Sequence, residues 1–84
     1  MLNLIATSDQ VAQLLAASRR QAGLTQSEAA ARIGVSQSRI SALETDAAAL
    51  TLEQLLALCG VYGLQLQLRD RSQPLPGPAP VAEW

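Results

Sequence analysis

Three times in this chain a threonine is followed three residues later by glutamine or glutamate. The segments are Thr7-Ser8-Asp9-Gln10, Thr25-Gln26-Ser27-Glu28 and Thr51-Leu52-Glu53-Gln54. In such a capping box the hydroxyl accepts a hydrogen bond from the third residue's backbone N–H, and that residue's side chain reaches back to the threonine N–H. Each box therefore marks a helix start. Gly23, Gly34 and the pair Gly60 and Gly63 fall where these helices would stop. The chain is thereby restricted to a handful of short helices, each too short to be stable alone and each needing the others to cover its apolar face.

Periodicity fills in the elements. Val11, Leu14, Leu15 and Ser18 recur at helical spacing, giving a first helix over about residues 8–22 that ends in Arg19 and Arg20, which complement the helix dipole. A second runs over about 26–33, with Ala29, Ala30 and Ile33 inward. Ser36 caps a third over about 37–44, with Ile40 and Leu43 inward. A fourth spans about 52–61, with Leu52, Leu55, Leu56 and Cys59 expected on its core face. The period then changes. Leu64-Gln65-Leu66-Gln67-Leu68-Arg69 alternates strictly, the pattern of a half-buried strand. A single strand leaves its donors and acceptors unpaired. Either Leu2-Asn3-Leu4-Ile5 or a second copy of the same strand would complete it.

The chain has 84 residues, 49% of them hydrophobic and only 2% aromatic, so one small aliphatic core is expected and a partner subunit would help it. It has no His and a single Cys. Triads, His general bases, His metal sites and CxxC sites are excluded on these counts, and no cofactor or metal is expected. Cys59 reads as a small core residue. A lone thiol fits a reducing, cytoplasmic setting. No apolar run approaches a membrane span, and the N-terminus lacks the pattern of a signal peptide. The expectation is a protein that is not an enzyme.

From about residue 71 the composition shifts again, and all 4 prolines lie beyond this point. Residues 1–70 thus read as the folded unit and 71–84 as an extended, polyproline-like tail. The tail ends in Trp84. Termini are often disordered and of little consequence, yet Trp is also a frequent binding anchor, so Trp84 is a candidate contact to a partner protein or to the chain's own dimer.

The most informative stretch is Gly23 to Glu44, GLTQSEAAARIGVSQSRISALE. Two short helices meet at Gly34, Ala30 is small where they would cross, and Val35, Ile40 and Leu43 pack the second onto the first. This is helix-turn-helix spacing, which presents the start of the second helix to a DNA major groove. With Ile40 and Leu43 inward, Gln37, Ser38 and Ser41 lie outward. An amide such as Gln37 can bond adenine N6 and N7 together. Ser36, Ser38 and Ser41 suit base edges or phosphates, Arg39 a phosphate or guanine, and Gln26 a phosphate beside the backbone amides of the first motif helix. The same residues, without the motif around them, would be an ordinary solvated helix face. For Arg39 the rival is an ion pair with Glu44 or Glu28, and for Arg19 and Arg20 a simple role at a helix end.

Residues 8–69 resemble the Cro/C1-type (XRE) helix-turn-helix family. The resemblance is carried by Leu24-Thr25-Gln26-Ser27-Glu28-Ala29-Ala30, Ile33-Gly34-Val35-Ser36-Gln37-Ser38 and Ile40-Ser41-Ala42-Leu43-Glu44. Within that family the alternating strand, the short length and the ending Glu83-Trp84 resemble the HipB-like antitoxins. The resemblance implies an all-α, lambda-repressor-like bundle of four to five helices with one C-terminal β-strand pairing across a homodimer through Leu64, Leu66 and Leu68. It also implies repression of the chain's own operon through palindromic double-stranded operator DNA, with recognition helices about 34 Å apart, and neutralisation of a HipA-like Ser/Thr kinase toxin. A stand-alone phage-type regulator without a toxin, and a helical interaction module that no longer binds DNA, are the alternatives.

The charge departs from the usual pattern. Net charge is −1 and the isoelectric point is near 5.1, whereas DNA-binding domains are often basic. Residues 19–41 hold Arg19, Arg20, Arg32 and Arg39 against Glu28, a local +3 that leaves −4 for the rest. A positive strip on an otherwise acidic molecule predicts a modest but salt-sensitive affinity for one face of a duplex.

Overall fold

The structure, a computed structural model, describes residues 3–70. Four α-helices follow in order: α1 Ser8–Gln21, α2 Gln26–Ile33, α3 Gln37–Thr45 and α4 Leu52–Tyr62, with a 3-10 turn at Ala47–Ala49 between the last two. All three capping boxes form. Thr7, Thr25 and Thr51 accept from the N–H of Gln10, Glu28 and Gln54 at 3.2, 3.0 and 3.0 Å. The return bonds run from the threonine N–H groups to the same side chains at 3.1, 2.9 and 3.3 Å. Ser36 caps α3 by accepting from the Arg39 N–H at 3.1 Å. Caps of this kind each contribute about 1 kcal/mol, so four of them matter in a chain this small.

The turn between α2 and α3 depends on Gly34. Its φ is 73°, in the left-handed region, and its N–H returns to the Ala30 carbonyl. A Cβ there would meet nothing within 4 Å. The requirement for glycine is therefore conformational and not steric. Val35 N–H also bonds the Ala30 carbonyl, at 3.0 Å, which closes the turn tightly.

One core joins all four helices. Leu15 of α1, Ala29 and Ala30 of α2, Ile40 of α3, and Leu58 and Tyr62 of α4 form a buried cluster, with Val11, Leu24, Ile33, Val35, Leu50, Leu55, Val61 and Leu64 packed around it. Leu15, Ile40, Leu43 and Leu58 are the largest fully buried side chains. Each contributes roughly 1.5–3 kcal/mol by leaving water. Ala29 and Ala30 let α2 lie close beneath its neighbours, as the sequence requires at that crossing.

The face of α4 is as expected at Cys59, which is buried, and at Leu55, which packs against the core, and differs from expectation at Leu52 and Leu56. Leu52 and Leu56 are 66% and 50% exposed, while Leu58, Cys59 and Tyr62 are buried. The helix carries two leucine stripes, and periodicity alone does not rank them. The one that ends in Leu58 and Tyr62 is inward, against the core formed by the other helices. Tyr62 therefore belongs to the core of its own chain.

Residues 64–70 form neither helix nor strand, and no strand occurs among the described residues. Pairing of this segment with residues 3–5, the described part of the expected N-terminal partner, is thus not formed within one chain. Leu64 is half-buried against the core, Leu66 is 41% exposed and Leu68 is 93% exposed. The tail 71–84, with Trp84, lies outside the described residues, as do Met1 and Leu2.

Candidate nucleic-acid interface

The angular placement of residues on α3 defines the candidate surface. At about 100° per residue, Ile40 and Leu43 point one way, into the core, and Ser38, Ala42 and Thr45 point the other. Gln37 and Glu44, seven residues and two turns apart, share the edge that faces α1 and α2. Arg39 lies on the opposite edge, toward α4. Gln37 and Ser38 are exposed and Ser41 is half-buried, so the expected reading face is held outward.

The side chains along the first edge form a connected series. Gln37 Nε2 donates to Gln26 Oε1 at 2.6 Å. Gln26 Nε2 donates to Glu44 Oε1 at 3.1 Å. Glu44 in turn receives Arg19 Nε at 2.7 Å and Nη2 at 3.1 Å, and Arg19 Nη1 donates to the Leu24 carbonyl at 2.9 Å. Glu44 is an acceptor only, so it selects the Nε2 end of the Gln26 amide. That choice turns Gln26 Oε1 toward Gln37 and makes Gln37 the donor between them. The Oε1 of Gln37 and one of its Nε2 hydrogens are used by no hydrogen bond among the described residues.

The Arg19–Glu44 pair is largely shielded, with the two side chains 12% and 8% exposed. Its hydrogen bond to Glu44 raises the Arg19 pKa further above its already high value. Sequence reasoning placed Arg19 as a helix-end charge and gave Glu44 to Arg39 as a rival partner. The structure gives Glu44 to Arg19. The available signal was the seven-residue step from Gln37 to Glu44, which sets both on one side of α3.

Arg39 is turned away from the reading face. Its Nη2 donates to the Ala49 carbonyl at 3.0 Å and to Gln54 Oε1 at 3.1 Å. Ser36 uses its lone pair as a cap, although its hydroxyl hydrogen stays available for a phosphate. Thr45 returns its hydroxyl to the Ser41 carbonyl at 3.1 Å. Gln26 sits at the first position of α2, half-buried, beside the exposed Ser27. The α2 N-terminus carries the partial positive charge expected there, partly offset by Glu28, whose carboxyl is held below its usual range by hydrogen bonds from Thr25.

Residues 15–68 match the helix-turn-helix family. The chain belongs to this helix-turn-helix family. The solved structures to which it is similar include a serine-to-alanine HipB variant in an O2 20mer complex. There the identity is 30% and the TM-score 0.75, over 84% of this chain and 99% of that one. They include also the HipA-HipB-O2-O3 complex, at 31% identity and a TM-score of 0.74, over 83% of this chain and 99% of that one. Within the helix-turn-helix family the chain is therefore HipB-like along its described length. No curated protein matches it in sequence. Among the described residues no helix is long and apolar enough to cross a membrane.

Proposed function

We propose that the chain is a sequence-specific DNA-binding repressor and the antitoxin of a toxin–antitoxin pair, which represses its own operon and neutralises a HipA-like Ser/Thr kinase. The observation that carries the DNA reading is the outward face of α3. There Gln37 stands at the helix start with its amide orientation fixed, flanked by Ser38 and Ser41. Such a face is suited to adenine recognition by Gln37 and to phosphate or base-edge contacts by Ser36, Ser38 and Ser41, with Gln26 at a phosphate. The antitoxin reading is supported by the likeness to HipB in complexes with an O2 20mer and with HipA.

Dimerisation follows from the same reading. Leu66 and Leu68 are exposed on a segment with no intrachain ladder, and Leu64 anchors its start to the core. Two copies paired through residues 64–69 would satisfy both backbones and cover these leucines. Such a dimer would bind a palindrome with one recognition helix per half-site. Trp84, at the end of the proline-rich tail, is the proposed anchor on the kinase.

The test has two arms. Duplexes selected by the full chain from a random pool should share a palindrome that contains adenine within each half-site. A pull-down from the native host should bring down a kinase. Selection of no common sequence would refute the repressor, and recovery of DNA binding without a kinase would leave a stand-alone regulator.

A further inference from the structure

Arg39 lies two residues from Gln37, within the stretch from which DNA contacts are drawn, yet its guanidinium is used inside the molecule. Both hydrogens of Nη2 are given away, one to the Ala49 carbonyl at 3.0 Å and one to Gln54 Oε1 at 3.1 Å. The two acceptors belong to different elements. Ala49 closes the 3-10 turn, where a carbonyl has no helical partner of its own. Gln54 belongs to the first turn of α4, and its Oε1 already accepts from the Thr51 N–H. One carbonyl oxygen with two lone pairs thus serves both the α4 cap and Arg39.

The connection spanned by this contact is held to the core by the buried Ala47 and by Leu50, and Arg39 is the side chain that ties it to the first turn of α4. Residues 46–50 read Asp-Ala-Ala-Ala-Leu, and only Ala47 is buried. Asp46 caps the turn through the Ala48 N–H at 2.9 Å, and the exposed Ala48 and Ala49 add no polar side-chain contact of their own. The other edge of α3 is fixed by Glu44 to α1 and α2. Arg39 fixes the remaining edge to α4, which runs on through Gly63 and the half-buried Leu64 to the exposed Leu66 and Leu68.

We propose that Arg39 is a positioning residue, which sets the angle of the recognition helix against α4 and so the spacing at which two copies can read DNA. This rests on the DNA-binding, dimeric reading given above. It replaces a phosphate or guanine contact by Arg39, for which the guanidinium would have to leave Ala49 and Gln54.

The experiment compares wild type, Arg39→Met and Gln54→Met, at a temperature where circular dichroism shows all three fully folded. The ligand is a duplex that the wild-type chain itself selects from a random pool. Both variants should bind it roughly 3- to 10-fold more weakly, on the order of one net hydrogen bond. Combining them should weaken binding little beyond the more harmful single change, because both break the Arg39–Gln54 contact and only Gln54→Met also removes the return bond of the α4 cap. The slope of log affinity against log salt should stay at the wild-type value. Wild type should discriminate against the same duplex with one base pair inserted between half-sites, and Arg39→Met should lose that discrimination.

A salt slope smaller by about 0.9 per subunit in Arg39→Met would mean a lost phosphate contact and overturn the proposal. So would unchanged affinity and unchanged spacing preference. Thermal unfolding of the same variants separates the two levels of the argument. Non-additive Tm losses for Arg39→Met and Gln54→Met establish the brace, and additive ones refute it, whatever the chain does with DNA. If the wild-type chain selects no duplex, the DNA reading itself falls, and the Tm cycle still reports on the brace alone.

Discussion

Arg19 and Glu44, 25 residues apart in sequence, meet as a two-bond pair at 2.7 and 3.1 Å that ties the last turn of α1 to the last turn of α3. Because Glu44 also holds Gln26, and Gln26 holds Gln37, a stability element and a candidate recognition element share one carboxylate.

Glu44→Ala should therefore be costly. Removing one partner strands the shielded Arg19 guanidinium, a change on the order of 3–5 kcal/mol. Urea denaturation at neutral pH measures it directly. Glu44→Gln, which keeps an acceptor without the charge, should lose less. A loss below about 1 kcal/mol for Glu44→Ala would mean the pair behaves as an exposed surface bridge instead.

Gln37→Ala should leave folding nearly unchanged, since Gln37 is exposed, and should weaken binding to a selected duplex by roughly 1–3 kcal/mol per half-site. Gln26→Ala should show a smaller loss, because it removes the support of Gln37 and the proposed phosphate contact but not the base reader. Titration by fluorescence anisotropy distinguishes them. Equal affinities for wild type and Gln37→Ala would remove this residue from the interface.

Leu66→Lys should yield a monomer in sedimentation while helicity is retained, since Leu66 lies outside the helices and is 41% exposed. A dimer that persists in this variant would place the subunit contact elsewhere, with the exposed Leu52 and Leu56 of α4 the next surface to examine.

Stability should fall at both ends of the pH range. Hydrogen bonds from Thr25 lower the Glu28 pKa from 4.5, so the folded state gains from this cap above that value and loses the gain as pH falls through the lower, folded value. Burial raises Cys59 above 9.0 and Tyr62 above 10.0, so their contributions are present below those values and are lost as pH rises through the higher folded ones. Glu28→Gln should flatten the acid limb of a urea-midpoint profile. At neutral pH, Cys59 should react with a thiol reagent only at the rate of global opening; fast labelling of the folded protein would contradict its burial.

Helix starts were legible because a capping box is a local contract between residues three apart, and each of Thr7, Thr25 and Thr51 honours it. The helix-turn-helix was legible for a similar reason, since Gly34, Ala30 and Ile40 lie within one short window. The inward face of α4 was legible only at Leu55 and Cys59, because Leu52, Leu55, Leu56 and Leu58 supply two competing stripes whose ranking is decided by the other helices. The partners of Arg19 and Arg39 were not legible. Glu44, Ala49 and Gln54 are brought to them by tertiary packing, and charge counts treat all arginines alike. Of the four arginines in residues 19–41, two are thus committed to internal contacts, which makes the expected phosphate term smaller than the sequence arithmetic suggested.

Ser38 and Ala42 stand on the outer side of α3, exposed, while caps, struts and core are built from other side chains. A lineage carrying this scaffold can exchange those two positions freely without endangering its fold. On the proposed DNA-reading role of this face, related chains should then diverge there far faster than in the architecture that holds it outward.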